Sequence, residues 1–188
     1  MTLILNGGTG NATISTTANS ISVTNIATSN ITSSSNLVFA TGSANTVALT
    51  IDQYQQSDFA GGIREKITVS AANATANVNF DVIDQGILYY TANASANSTI
   101  SIRGNSTVSL NTLMAVGETL SAVFMSTNGA TARLVNGYQI DGTAVTPRWQ
   151  GGSAPTGGNA NAIDVYVFTV IKTANAAFTV LASQNQFK

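Results

Sequence analysis

Ile and Val account for 30 of the 188 residues and Thr for 26 more, whereas Glu and Lys together supply five. β-branched side chains lose rotamer freedom against the preceding turn of a helix but pack well on a pleated sheet. The polar face of a water-exposed helix is usually written with Glu, Lys and other straight-chain residues. Five Glu and Lys residues can hardly write the surface of an ordinary helical protein, so the chain is expected to be all-β. Leu, Ile, Val and Phe together number 47, a quarter of the chain. That is enough apolar bulk to exclude general disorder.

The seven basic residues, Arg64, Lys66, Arg103, Arg133, Arg148, Lys172 and Lys188, are scattered, and the net charge is −1. A phosphate-tracking surface needs clustered cations, so no nucleic-acid partner is expected. The absence of cysteine removes disulfides and thiolate metal sites, leaving packing and oligomerisation to supply stability. MTLILNGGTG has no basic n-region and only a three-residue apolar run, unlike an export signal. No segment approaches the ~20 apolar residues of a membrane span, and membrane insertion is not expected. Sequons at Asn11, Asn30, Asn73, Asn93, Asn97 and Asn105 are what chance yields in a chain this rich in Asn, Ser and Thr.

No charged side chain precedes Asp52, and residues 6–46 are dominated by Thr, Ser, Asn, Ala and Gly. A faint echo, NIATS then NITSS, precedes the apolar run LVFA at 37–40. So sparse a segment cannot readily bury a core by itself, which points to an attachment or shaft element over residues 1–62, with QYQQSDFAGG as a linker. Residues 63–188 read as a separate β-sandwich domain.

In that second part KITVSA, VNFDVI, ILYYT and STISIR alternate apolar and polar residues, separated by ANATAN (72–77), DQG (84–86) and ANASAN (92–97). The spacing matches a β-meander with Asn-Ala loops closing antiparallel strands. TANAA (173–177) joins IDVYVFTVIK to FTVLAS in the same style. Further strands are expected at 107–110, 119–126, 133–135, 138–140 and 145–149, with turns at Asn128-Gly129, Asn136-Gly137 and Asp141-Gly142. NTLMAVGETL (111–120) suits a single helical turn or a loop leading into a strand, since Gly117 interrupts it. About ten strands with turns every 8 to 12 residues predict an antiparallel, jelly-roll-like β-sandwich preceded by an extended β-rich N-terminal arm.

With no histidine and no cysteine, imidazole bases, Ser-His-Asp triads and thiol nucleophiles are all absent. Catalysis would rest on eight carboxylates: Asp52, Asp58, Glu65, Asp81, Asp84, Glu118, Asp141 and Asp164. A glycosidase needs two flanking a sugar, but Asp84 and Asp141 sit in turns, Glu65 lies between two cations and Asp164 begins a strand. They read as turn caps and solvated edges, and no catalytic residue is expected. Asp81 and Asp84 with Asn79 offer oxygen ligands to a hard cation without any calcium-loop spacing, so neither metal nor cofactor is expected. GSAPTGGN (152–159) spaces two glycines like part of a phosphate-binding loop. Gly158 and Asn159, however, stand where Lys and Ser or Thr would be needed, and a β-branched strand follows where a helix should open. It reads as a connecting loop. Trp149, just before it, is either a core or interface anchor or a stacking platform for a sugar. Tyr89 and Tyr90 are adjacent and face opposite sides of a strand, so at most one is buried in the sandwich.

The run YQIDGTAVTPRWQGGSAPTGGNANAIDVYVFTVIKTANAAFTVLASQNQF resembles the closing domain of tail-fibre and other virion structural proteins of tailed bacteriophages, especially those of marine and cyanobacterial hosts. LILNGGTGNATI is similar to the opening stretch of the same proteins. The most specific part is DG followed by W, a GG-x-x-P-x-x-GN loop, and D-x-Y-x-F-T. The resemblance implies a non-enzymatic component of a phage particle, commonly a homotrimer, assembled in the host cytoplasm with other virion proteins and exposed on the particle surface. The chain is shorter than most such fibres, so head fibre and capsid decoration protein stand beside tail fibre. A carbohydrate-recognition module gripping a host-surface glycan through Trp149 and a tyrosine is the alternative.

Overall fold

The computed structural model describes residues 37–41 and 46–188. The NIATS/NITSS echo, the sequons at Asn11 and Asn30 and the LILNGGTGNATI stretch lie outside the described residues. The chain divides into two units, Met1–Gly62 and Ile63–Lys188.

In the first unit, β1 (Leu37–Thr41), β2 (Thr46–Ile51) and β3 (Ser57–Phe59) form an antiparallel three-stranded sheet in sequence order. The Asp52 carboxylate accepts from the backbone N–H groups of Tyr54 and Gln56 at 2.8 and 2.9 Å. This Asx-type turn returns the chain for β3, so part of the stretch expected as a linker is a paired strand.

The second unit is a two-layer sandwich. Its strands are β4 (Ile67–Asn73), β5 (Asn77–Asp81), β6 (Ile87–Ala92), β7 (Ser98–Arg103), β8 (Thr119–Thr127), β9 (Val135–Ile140), β10 (Thr143–Ala144), β11 (Arg148–Trp149), β12 (Ile163–Ala174) and β13 (Ala177–Phe187). One four-residue helix, α1 (Leu110–Leu113), precedes β8. A four-stranded sheet runs β10-β9-β7-β5, and a six-stranded sheet runs β11-β13-β12-β8-β6-β4.

Its strands are not all antiparallel, which corrects the jelly-roll expectation. β4, β6 and β8 are mutually parallel in one sheet, and β5, β7 and β9 in the other. From β4 to β9 the chain therefore winds as a coil, each turn placing one strand in each sheet. ANATAN and ANASAN are stacked corners of this coil and not hairpin loops. Ser95 N–H donates to Ala74 O at 3.0 Å and Thr99 N–H to Ala76 O at 2.8 Å. Ser98 Oγ donates to Thr75 O at 2.7 Å. The twenty-residue spacing of the two loops is the coil's own period, because Ile67 stands beside Ile87 in the sheet. Side-chain alternation is the same for parallel and antiparallel neighbours, so alternation alone could not distinguish the two.

Only after β9 does the chain turn back on itself. β12 lies between β8 and β13, antiparallel to both, and the hairpin at Asn175-Ala176 joins β12 to β13. Asn136-Gly137, expected as a turn, lies inside β9. A Cβ on Gly137 would sit 2.9 Å from Thr99 Cβ on the adjacent strand, so glycine serves close strand approach here. Residues 107–110, expected as a strand, lead instead into α1, and the expected 145–149 strand shrinks to the two residues of β11.

The core lies between the sheets. Phe80, Ile100 and Ile102 from the smaller sheet meet Leu88, Phe124, Tyr166, Phe168 and Val170 from the larger. Phe124 and Tyr166 stack at 6.2 Å, and Tyr138 reaches across to Phe168 at 6.0 Å. β12 is central and shows strict alternation, with its even-numbered residues from Asp164 to Lys172 buried. Its odd-numbered residues, Val165, Val167 and Thr169 among them, point away from the core and are only half-buried.

Candidate functional site

Trp149 lies on β11, whose parallel pairing with β13 places it beside Ala182. Its ring meets Tyr138 edge-on, centroids 5.3 Å apart, and it packs against the core. Among the described residues none accepts a hydrogen bond from its indole N–H. Tyr90 also points inward and contacts Phe124 edge-on at 5.9 Å. Tyr89 points outward, and its hydroxyl accepts from Thr127 Oγ1 at 3.4 Å. Trp149 and Tyr89 thus serve opposite faces of the six-stranded sheet, and the fold does not bring them together as one sugar platform.

The loop 152–159 closes over a buried carboxylate. Asp164, expected at a solvated strand start, has no exposed surface. Its Oδ2 accepts from Asn128 Nδ2 at 2.9 Å and from the backbone N–H of Asn159 at 3.0 Å, while Oδ1 accepts from Asn159 Nδ2 at 2.6 Å. Asn128 in turn bonds the backbone of Arg133 through both ends of its amide. Asn159 is therefore a clamp on Asp164, and Gly158 lets the loop lie against Arg133, whose carbonyl carbon would be 2.6 Å from an added Cβ. The two letters that spoil a phosphate-binding loop are the two that fasten this one. The alternation of β12 held the signal: Asp164 shares parity with Tyr166, Phe168 and Val170, the inward residues.

Lys172 shares that parity and is also buried. Its ammonium donates to Asn111 O at 2.5 Å and Met114 O at 2.8 Å, capping carbonyls at the end of α1. At the other end of the helix Asp141 accepts from the N–H groups of Leu110 and Asn111 at 2.7 and 3.0 Å. Glu118 accepts from Ala115 N–H at 2.8 Å. Asp81 pairs with Arg103 on the neighbouring strand, Nε to Oδ1 at 2.6 Å, and this hydrogen bond raises the arginine pKa further above its ordinary value. Among the described residues no three acidic side chains converge as a metal cluster.

Two phenols are perturbed. Burial pushes the Tyr138 hydroxyl, which donates to Val135 O, up to about 12. Burial raises Tyr166 further. Its oxygen accepts from Val135 N–H and Gln184 Nε2, both at 3.1 Å. Both rings lie within the sandwich; the Tyr166 bonds tie β12 to β9 and β13, whereas the Tyr138 bond stays within β9.

The outer face of the four-stranded sheet forms a groove of about 470 Å³ walled by the loop 105–109. Asn77, Asn79, Thr99, Ser101 and Gln139 line its floor, with Arg103 at one end. The sequence offered no motif for this groove, because its members come from three strands that only the coil places side by side. No protein family, curated protein or solved structure matches the chain.

Proposed function

We propose that the chain is a non-enzymatic structural component of a bacteriophage particle, a surface fibre or capsid decoration protein assembling as a homotrimer. The observation that carries this reading is the use made of its acidic groups. Asp52, Asp81, Glu118, Asp141 and Asp164, five of the eight carboxylates, are spent on turns, a strand pair, both sides of a helix and a loop clamp. Groups so engaged stiffen a scaffold and are poorly placed to exchange protons with a substrate. The virion assignment rests on the resemblance of residues 137–187 and 3–14 to phage structural proteins.

The test is to quantify the protein in purified particles by mass spectrometry and to locate it with gold-labelled antibodies. Many symmetric copies on the particle surface are expected, and its absence from the particle would end the reading. A glycan-recognition module is the second reading, favoured by the neutral amides and hydroxyls of the groove on the four-stranded sheet. It predicts that Gln139→Ala lowers binding to host-surface glycan without changing the melting temperature.

A further inference from the structure

The outward residues of β5, β7 and β9 form a ladder of neutral polar side chains. Asn79 stands beside Ser101 and Ser101 beside Gln139, while Asn77 stands beside Thr99. Strands lie about 4.8 Å apart, so the Asn79–Ser101–Gln139 row runs about 10 Å across the floor of the groove. Among the described residues, no hydrogen bond reaches the side-chain amides of Asn77, Asn79 and Gln139 or the hydroxyl of Thr99. They contrast with Asn105, Asn128 and Asn159, whose side chains hold loops in place.

The walls are fixed by bonds that leave this ladder free. Asn105 Oδ1 accepts from the N–H groups of Thr107 and Val108, both at 2.8 Å, and from Thr107 Oγ1 at 3.0 Å. Gly104 lets the loop fold back so closely that an added Cβ would collide with the Val108 carbonyl. On the other side Asp141 holds the N–H groups of Leu110 and Asn111, and Ser101 Oγ accepts from Gly142 N–H at 3.2 Å. A groove held in this way presents its amides to a ligand with little further ordering.

Two charged residues line the groove, Arg103 and Asp141. Arg103 is tied to Asp81 through Nε at 2.6 Å and Nη2 at 3.3 Å, and the Asp141 carboxylate is taken up by α1. A phosphate or carboxylate group therefore finds no uncompensated cation here. Val78 points into the core, leaving Val108 as the one apolar side chain among the lining residues, so a peptide finds no pocket for its apolar groups. An amide donates through nitrogen and accepts through oxygen, which matches adjacent hydroxyls, each both donor and acceptor. We infer that the groove takes a neutral, hydroxyl-rich glycan laid across β5, β7 and β9, its hydroxyls bonded to Asn79, Thr99 and Gln139. The inference deepens the glycan reading above and rests on it, adding the ligand's charge class and its line of contact.

The test is frontal affinity chromatography of the full-length protein on immobilised dextran, mannan, galactan, polygalacturonate and gelatin, at low and high salt. Expected is retention by at least one of the three neutral polysaccharides, insensitive to salt because no ion pair forms, and none by polygalacturonate or gelatin. Asn79→Ala and Gln139→Ala should each weaken retention about threefold to tenfold, as the loss of one or two hydrogen bonds does. Their urea midpoints should not move, because neither side chain bonds the rest of the protein. If polygalacturonate alone retains wild type and Gln139→Ala abolishes it, the glycan reading survives and the neutral class is wrong. If a neutral column retains both variants like wild type, the glycan binds elsewhere and this groove is wrong. Retention by gelatin alone, lost in Gln139→Ala, assigns the groove to a peptide and overturns the inference. If no polysaccharide retains wild type, the inference and the glycan reading fall together.

Discussion

Asp164 sits inside the sandwich and makes no ion pair among the described residues, its carboxyl group held by two asparagine side chains and one backbone N–H. Removing one member of such a network leaves the others desolvated and unpaired, which costs more than the bonds' net worth. Asp164→Ala is therefore expected to destabilise the domain by about 2–4 kcal/mol, read as a lower urea midpoint with an unchanged slope. The two buried phenols give a second prediction at this scale. A tyrosine whose pKa is raised by folding keeps its proton longer in the folded chain than in the unfolded one. Its contribution is complete below the ordinary value of 10.0 and is lost as pH climbs from there towards about 12 for Tyr138, and further for Tyr166. Stability measured by urea melts should be flat through pH 7–9 and fall above ~10. Tyr166→Phe should lower stability at pH 7, because Val135 N–H and Gln184 lose their acceptor. It should also make the alkaline fall shallower.

At the scale of elements, the loop between β11 and β12 separates glycines that matter from glycines that do not. Gly157 has open space around it, whereas a Cβ on Gly158 would run into the Arg133 backbone. Gly157→Ala should leave the melting temperature within a degree or two. Gly158→Ala should lower stability by about 1–3 kcal/mol through overpacking against backbone. For the same reason the pair Gly158→Lys and Asn159→Ser, which restores phosphate-loop letters, is expected to bind no nucleotide and to disturb the loop as well, since it removes the clamp on Asp164. The β12–β13 hairpin and the turn at Asp141-Gly142 were legible, because each rests on local chemistry: left-handed backbone at Ala176, Asp141 and Gly142. Residues 111–120 stood open between a helical turn and a loop, and α1 starts earlier, at Leu110, under a Ser109 cap that lay in an expected strand. The corner loops were misread because Asn-Ala runs suit a hairpin and a coil corner equally. The choice depends on which strand waits on the other side.

Across the whole second unit, order should grade outward from β12. Its inward side chains from Asp164 to Val170 are at most 1% exposed, and it is bonded on both edges. β4 is an edge strand with several exposed residues. Hydrogen exchange should accordingly be slowest in β12 and β8 and fastest in β4, with a protection gap of at least a hundredfold. Equal protection along the coil would contradict this ordering. The polar groove is a property of this scale too. Its members are drawn from strands far apart in sequence, Asn79 beside Ser101 and Ser101 beside Gln139.

The amino-acid sequence alone determined that the described chain is mostly β. Ile, Val and Thr number 56 against five Glu and Lys, and backbone preference acts residue by residue without reference to partners. It also divided β12 into two alternating sets, because a strand's period of two is a local property, but both sets carry bulk and only the packing of the sheets decided that the set of Asp164, Tyr166, Phe168, Val170 and Lys172 faces inward. Tertiary structure decided the rest. Whether neighbouring strands run parallel or antiparallel, which carboxylates are buried, and which polar or apolar side chains share a face all depend on strand order. Strand order is set by contacts across twenty residues or more, where the free energy of packing the two sheets together outweighs any preference written in a single loop.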